Sequence, residues 1–174
     1  MADVETIWSW GCRQLRYHPR ERFPAVAKRS CLISTDTATI CIFDLTAMQH
    51  RKDDVGDWWS IPRDREVEIV NRSALFLDVG DDGSYQVEIE QNPAERTLGF
   101  CLSSPSGRVF VGPGEEMSGA SFEPMGEWGG IFIPVDGPYQ RVSVVRRLNT
   151  IHVNMAPTEP FENEAVESVQ LREG

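Results

Sequence analysis

Apolar and polar positions alternate through much of this chain, and the alternation predicts strands. "CLISTDTATICIFDL" (31–45) reads as two β runs broken at Ser34–Thr37, rich in the Ile, Thr and Phe that suit a pleated, half-buried surface. From residue 74 the pattern strengthens. "ALFLDVG", the turn "DDGS" and "YQVEIEQ" read as a hairpin, because Asp-Gly accepts positive φ between two apolar runs. "LGFCLSS", "PSG" and "RVFVG" predict a second hairpin, "GGIFIPV", "DGPY" and "QRVSVVRR" a third, and "TIHVNM" a late strand.

Helical signal is sparse. "TAMQHRK" (46–52) reads as a helical turn. Ser60 could cap a short helix with Pro62 just inside it, where a missing N–H costs nothing, and "RDREVEIVNR" would then run helical to Asn71. "EVEIV" also alternates, so a strand competes there. Residues 13–29 mix arginines, aromatics and prolines without period and predict an irregular arm, with at most a short strand near Leu15. Residues 113–130 form the longest stretch with no convincing element, and such loops are often functional or mobile. After Ala156 the tail is rich in Pro and Glu. Its "ENEAVESVQLRE" could be an amphipathic helix, a frayed end or a docked strand.

Hairpins with one apolar face must pack against one another. The expected fold is therefore mainly β, an antiparallel two-sheet sandwich or barrel-like fold with one or two short helices. The expected organisation is one β-rich domain over residues 1–155, with the irregular N-terminal arm, and an acidic tail over 156–174. "DGSYQVEI" (82–89) and "DGPYQRVSV" (136–144) echo each other; shared turn chemistry explains this without a repeat.

Charge sharpens the picture. The formal net charge is −10, yet residues 1–30 carry six basic and three acidic groups, so the acid sits in the body and the tail. An acidic body repels nucleic acid, whose binding needs Lys and Arg on phosphates, and it speeds encounter with basic surfaces. No apolar run approaches the length of a membrane helix, and the N-terminus lacks a secretory pattern, so a cytoplasmic location is expected. The four cysteines (12, 31, 41, 101) form no C-x-x-C pair and the three histidines (18, 50, 152) are scattered. Reduced, buried thiols are expected, with no metal site and no cofactor. Asp78, Asp81 and Asp82 beside Gly83 suggest calcium, but the twelve-residue loop with its terminal Glu is missing, and a turn accounts for them. There is no phosphate-binding loop, nucleophile elbow or H-E-x-x-H, so no catalytic residue is nominated.

The remaining chemistry lies in "DDVGDWWSIP". Consecutive residues on a strand or helix entry diverge, so one of Trp58 and Trp59 is expected to cover the core and the other to approach the surface. An exposed indole beside Asp53, Asp54 and Asp57 would be an anchor with an acidic rim. Glu115, Glu116, Glu123, Glu127 and Trp128 repeat the pairing in the long loop. These ten residues are the expected partner-binding set.

At "STDTATICIFDL", "DWWSIP" and "GDDGSYQVEI", spanning roughly residues 30–90, the chain resembles a poorly characterised bacterial family associated with toxin neighbourhoods, whose small cytoplasmic immunity proteins protect the producing cell. The resemblance implies a non-enzymatic protein that binds a cognate toxin or effector and occludes its active site; the acidic body suits a basic nuclease. A small-molecule or glycan-binding β-sandwich, with Trp58, Trp59 or Trp128 as a stacking platform, is the alternative. Exposed sheet edges could support a homodimer.

Overall fold

The computed structural model describes residues 28–92, 98–117 and 123–171. The chain forms β1 (Arg29–Thr35), β2 (Thr39–Phe43), α1 (Pro62–Val70), β3 (Ala74–Asp78), β4 (Gly83–Glu90), β5 (Phe100–Ser103), β6 (Arg108–Pro113), β7 (Ile131–Pro134), β8 (Tyr139–Arg147), β9 (Thr150–Pro157) and β10 (Val169–Gln170). The strands make two five-stranded sheets, in the orders β1-β4-β9-β8-β5 and β10-β3-β2-β6-β7. The mainly β, two-sheet expectation holds, and the sheets do not close into a barrel. Both sheets are mixed, because β4 runs parallel to β9 and β10 parallel to β3.

The three expected hairpins do not form. β3, β6 and β7 belong to one sheet, and β4, β5 and β8 to the other. Each turn therefore carries the chain across the sandwich and not back along its neighbour. The reason lies in burial. β2 is buried at every position and β3 and β6 at all but one, whereas β4 alternates buried and solvent-facing residues. A strand covered on both faces and a strand wet on one face belong in different layers. The hairpin that does form is β8–β9, from Arg147↔Thr150 to Gln140↔Pro157, through Leu148 at a φ of 54°.

Residues 44–73 cover the outside of the second sheet, which is why its central strands have no wet face. This crossover contains 3-10 turns at Gln49–Arg51 and Trp58–Ser60 and then α1. Pro62 stands in the first helical position as expected, but the N-cap is Ile61 and no side chain caps the helix; Ser60 closes the preceding 3-10 turn. Across β2, β3 and β6, Cys41 pairs with Phe76 and Gly112, so these share one face, towards the crossover, where Trp58 meets Phe76 edge-on at 6.3 Å. The opposite face presents Ile40, Ile42, Leu75, Leu77 and Val111 to Val87, Ile89, Val142, Ile151 and Val153 of the first sheet, all buried.

The tail docks as a strap and strand rather than a helix. Asn163 accepts a hydrogen bond from the Cys101 backbone N–H at 2.7 Å and donates to the Cys101 and Ile69 carbonyls at 2.9 and 2.7 Å. One amide thus stands in for a neighbouring strand along β5. The chain then reaches β10, and Leu171 N–H donates to the Asp78 carbonyl at 3.0 Å.

Asp78 is likewise occupied structurally. Its carboxylate accepts from Gly80 N–H and Gln170 Nε2, both at 2.9 Å. The two Asp-Gly turns use one device with different side chains. Tyr85 Oη donates to the Asp81 carbonyl at 2.6 Å, and Gln140 Nε2 to the Asp136 carbonyl at 2.7 Å.

Candidate functional site

The loop that carries Asp53, Asp54 and Asp57 is anchored at both ends. On one side Arg51 donates to Glu68 (Nε, 2.7 Å), Asp54 (2.9 Å) and Asp64 (3.4 Å), and stacks 4.6 Å from the centre of the Trp58 ring. Burial disfavours the Arg51 charge, but hydrogen bonds to Asp54 and Glu68, with the charges of Glu68 and Asp64, outweigh this and hold its pKa above the ordinary value. Glu68 is fully buried and also accepts from His50 Nε2 at 2.9 Å. A buried carboxylate is tolerated because two donors face it.

On the other side the loop ends in the indoles, and here the expectation of one surface indole fails. Trp58 is 5% exposed and Trp59 2%. The 3-10 turn does splay them, with one indole reaching Phe76 and the other packing on Gly114. Both directions are inward, because this turn lies between the second sheet and the connection after β6. Neither indole is a surface anchor or a stacking platform.

The loop after β6 is more ordered at its start than expected. Gly114–Met117 forms a 3-10 turn. Glu115 accepts hydrogen bonds at 2.9 Å from Thr35 Oγ1, Asp36 N–H and Thr37 Oγ1, and so latches the β1–β2 turn. Glu116 is buried and accepts from the N–H groups of Met125 (2.7 Å), Gly126 (3.1 Å) and Trp128 (3.2 Å). These two acids are internal clamps and not a rim. Trp128 in turn accepts from Ser34 N–H at 3.0 Å, and Gly129 bridges Ile33, which covers part of the free edge of β1.

Trp59 on Gly114, Glu115 on residues 35–37 and Glu116 on residues 125–128 chain three loops together. Between them they expose Asp53, Asp54, Asp57, Glu123 and Glu127, together with Asp36. Among these acids stand Val55 (91% exposed), Met125 (75%) and Trp128 (42%). Sequence reasoning missed Val55 and Met125, although both lie between residues it did single out, and Asp36, which it treated only as part of a strand break.

Chemistry elsewhere is limited. Among the described residues no group of three His, Cys, Asp or Glu side chains is placed to hold a metal. Cys31, Cys41 and Cys101 are free thiols. Burial pushes the Cys41 thiol well above its usual range, and Cys31 is raised for the same reason. Cys12 lies outside the described residues. The outer face of the first sheet carries a shallow groove of about 220 Å³ lined by Glu88, Glu90, Arg147 and His152. There Lys28 Nζ meets Glu88 at 2.7 Å, and His152 Nδ1 meets the same carboxylate at 3.0 Å.

Residues 27–171 match the model of a family of unknown function, DUF6386. The chain belongs to this family. The DUF6386 match reaches well beyond the roughly 30–90 region that carries the immunity-protein resemblance. No curated protein matches. Two solved structures show distant likeness to this DUF6386 chain. The one titled Crocagin biosynthetic gene J is 15% identical, with a TM-score of 0.44 over 77% of this chain and 100% of its own. ComJ from Bacillus subtilis, described as an inhibitor of the DNA-degrading activity of NucA, is 8% identical, with a TM-score of 0.45 over 79% and 100%.

Proposed function

We propose that this DUF6386 protein is a non-enzymatic inhibitor of the immunity type, which binds a basic cognate toxin or effector and plugs its active site. One observation carries the reading: the latched loops expose Val55, Met125 and Trp128 amid Asp53, Asp54, Asp57, Glu123 and Glu127. Interfaces of this kind place an apolar contact at the centre and charge at the rim. The rim steers a basic partner and sets the on-rate, while the apolar centre slows release. Of the three indoles in the expected set, Trp128 is the one left at the surface, and Val55 and Met125 add exposed apolar side chains on the same loops. The DUF6386 chain supplies no chemistry in this scheme; occlusion alone silences the partner.

Co-expression with a toxin encoded beside it tests this. Rescue of growth is expected, with loss of rescue in D53N/D54N/D57N and in Trp128→Ala while the circular dichroism spectrum stays native. Failure to rescue, or rescue that ignores these changes, would reject the proposal.

A further inference from the structure

The two sheets are treated differently on their outer faces. The crossover of residues 44–73 covers the second sheet. On the first sheet, register sets the outward side chains in stripes of opposite sign. β4 carries Glu88 and Glu90, β9 carries His152, and β8 carries Arg141, Val145 and Arg147, with Glu88, His152 and Val145 side by side. A shallow groove of about 220 Å³ runs between the acidic and basic stripes. Lys28 Nζ, at 2.7 Å from Glu88 and 3.6 Å from Glu90, offsets one of the two carboxylates. Val145 is 53% exposed, and Leu32 at the β1 side of the face 58%.

We propose that this face docks a second copy of the chain, related by a two-fold axis along β9. Such an axis lays β4 of each copy over β8 of the other. In the observed register Arg147 then falls over Gln86 and beside Glu88. Arg141, held by stacking 4.8 Å over Phe161, falls one same-face step beyond Glu90. The two arginines bracket the two carboxylates, and Val145 between the arginines is covered. Packed sheets stand about 10 Å apart, a gap that Arg and Glu side chains span together. A face bearing both signs in this order is complementary to itself, whereas a basic protein of the kind drawn to the acidic loops meets Arg141 and Arg147 here. Area suits a weak dimer. Four strands about 4.8 Å apart and about seven residues long give each face roughly 450 Å² in projection. Two faces with their side-chain relief come to about 1,000 Å², the lower bound for a specific interface. Asp53, Asp54 and Asp57 lie in the crossover outside the second sheet, so the dimer leaves them free.

Sedimentation velocity on the full chain, from low micromolar to submillimolar concentration, tests this. The mass is expected to rise with concentration to that of a dimer and no further. Arg147→Glu and Glu88→Arg should each weaken the dimer about tenfold, and the combined R147E/E88R chain should recover affinity, because the reversed charges meet again across the axis. Val145→Asp, which sets a further acid over Glu88, should also dissociate it. Arg147 and Val145 are exposed, so circular dichroism of these two variants should stay native. A chain that stays monomeric at submillimolar concentration, assembly beyond two copies, a dimer indifferent to Arg147→Glu and Val145→Asp, or a double variant no tighter than the single ones would each overturn the proposal. The readout involves no toxin, so its failure leaves the inhibitor reading to its own experiment.

Discussion

Trp59 packs on Gly114 so closely that a Cβ added to the glycine would lie 2.6 Å from the indole ring. The indole cannot back away, since it is 2% exposed and closed in on its other sides. Gly114→Ala is therefore an overpacking change in a contact that joins two loops. It should cost about 1–3 kcal/mol, read as a lower urea midpoint with an unchanged m-value. Trp59→Ala should cost about 3–5 kcal/mol. If Gly114→Ala melts like the parent, the two loops are not held together as described.

Glu68 makes a second prediction. It is fully buried, and Arg51 and His50 both donate to it. Its loss leaves the Arg51 Nε donor without its acceptor, while Asp54 and Asp64 still balance the guanidinium charge, so the cost is about 1–3 kcal/mol. Glu68→Ala should lose stability on that scale in chemical denaturation. Asp54→Asn removes only the exposed partner of Arg51 and should cost well under about 1 kcal/mol.

A third prediction separates binding from folding. Asp53, Asp54, Asp57, Glu123 and Glu127 are exposed. Neutralising the first three should shift stability by no more than about 0.5 kcal/mol each. Association with a basic partner should nevertheless slow, and its salt dependence should flatten, in stopped-flow or surface-binding kinetics. Trp128→Ala should act mainly on dissociation.

The Lys28–Glu88 pair sets a pH signature. The hydrogen bond from Lys28 holds the Glu88 pKa below its ordinary 4.5, and the bond to Glu88 raises Lys28 above its ordinary 10.5. A depressed carboxylate stabilises the fold above its unfolded pKa, and that contribution fades as pH falls through the lower folded value. A raised amine stabilises below its unfolded pKa, and that contribution fades as pH rises through the higher folded value. Stability near neutrality should thus be insensitive to this pair. A carboxyl NMR titration should give Glu88 a midpoint below 4.5. Lys28→Met should move it upward.

The tail strap gives a fifth. Asn163→Ala strips the backbone N–H and C=O of Cys101 of their side-chain partners. It should cost about 1–3 kcal/mol and make residues after Pro157 more sensitive to limited proteolysis.

Much of the fold was legible along the chain, but its pairing was not. Strand positions, Pro62 at the helix start and the two-sheet class all follow from periodicity and turn chemistry. An Asp-Gly step announces a reversal of direction but does not say whether the two strands stay hydrogen-bonded. The distinction was nonetheless written in the pattern: "ALFL" and "RVFVG" are nearly unbroken apolar runs, while "YQVEIE" alternates. Runs of the first kind fill a layer covered on both sides, and strands of the second kind face water once. At the loops, acid count misled. Glu115 and Glu116 look like their neighbours in sequence, yet each meets a cluster of N–H or hydroxyl donors that only the folded chain assembles. The surface apolar residues Val55 and Met125 went unnoticed because aliphatic side chains are read by default as core.

Four turns that carry the chain from one sheet to the other have a kinetic meaning. Apart from β8–β9, no strand among the described residues pairs with the next across a tight turn; Ile33 must find Tyr85, and Val87 must find Ile151. Loop-closure entropy is lost before those contacts form, so refolding should fall in the millisecond-to-second range of all-β domains. Among the described strands β8–β9 is the local seed, and residues within it should show the highest φ-values.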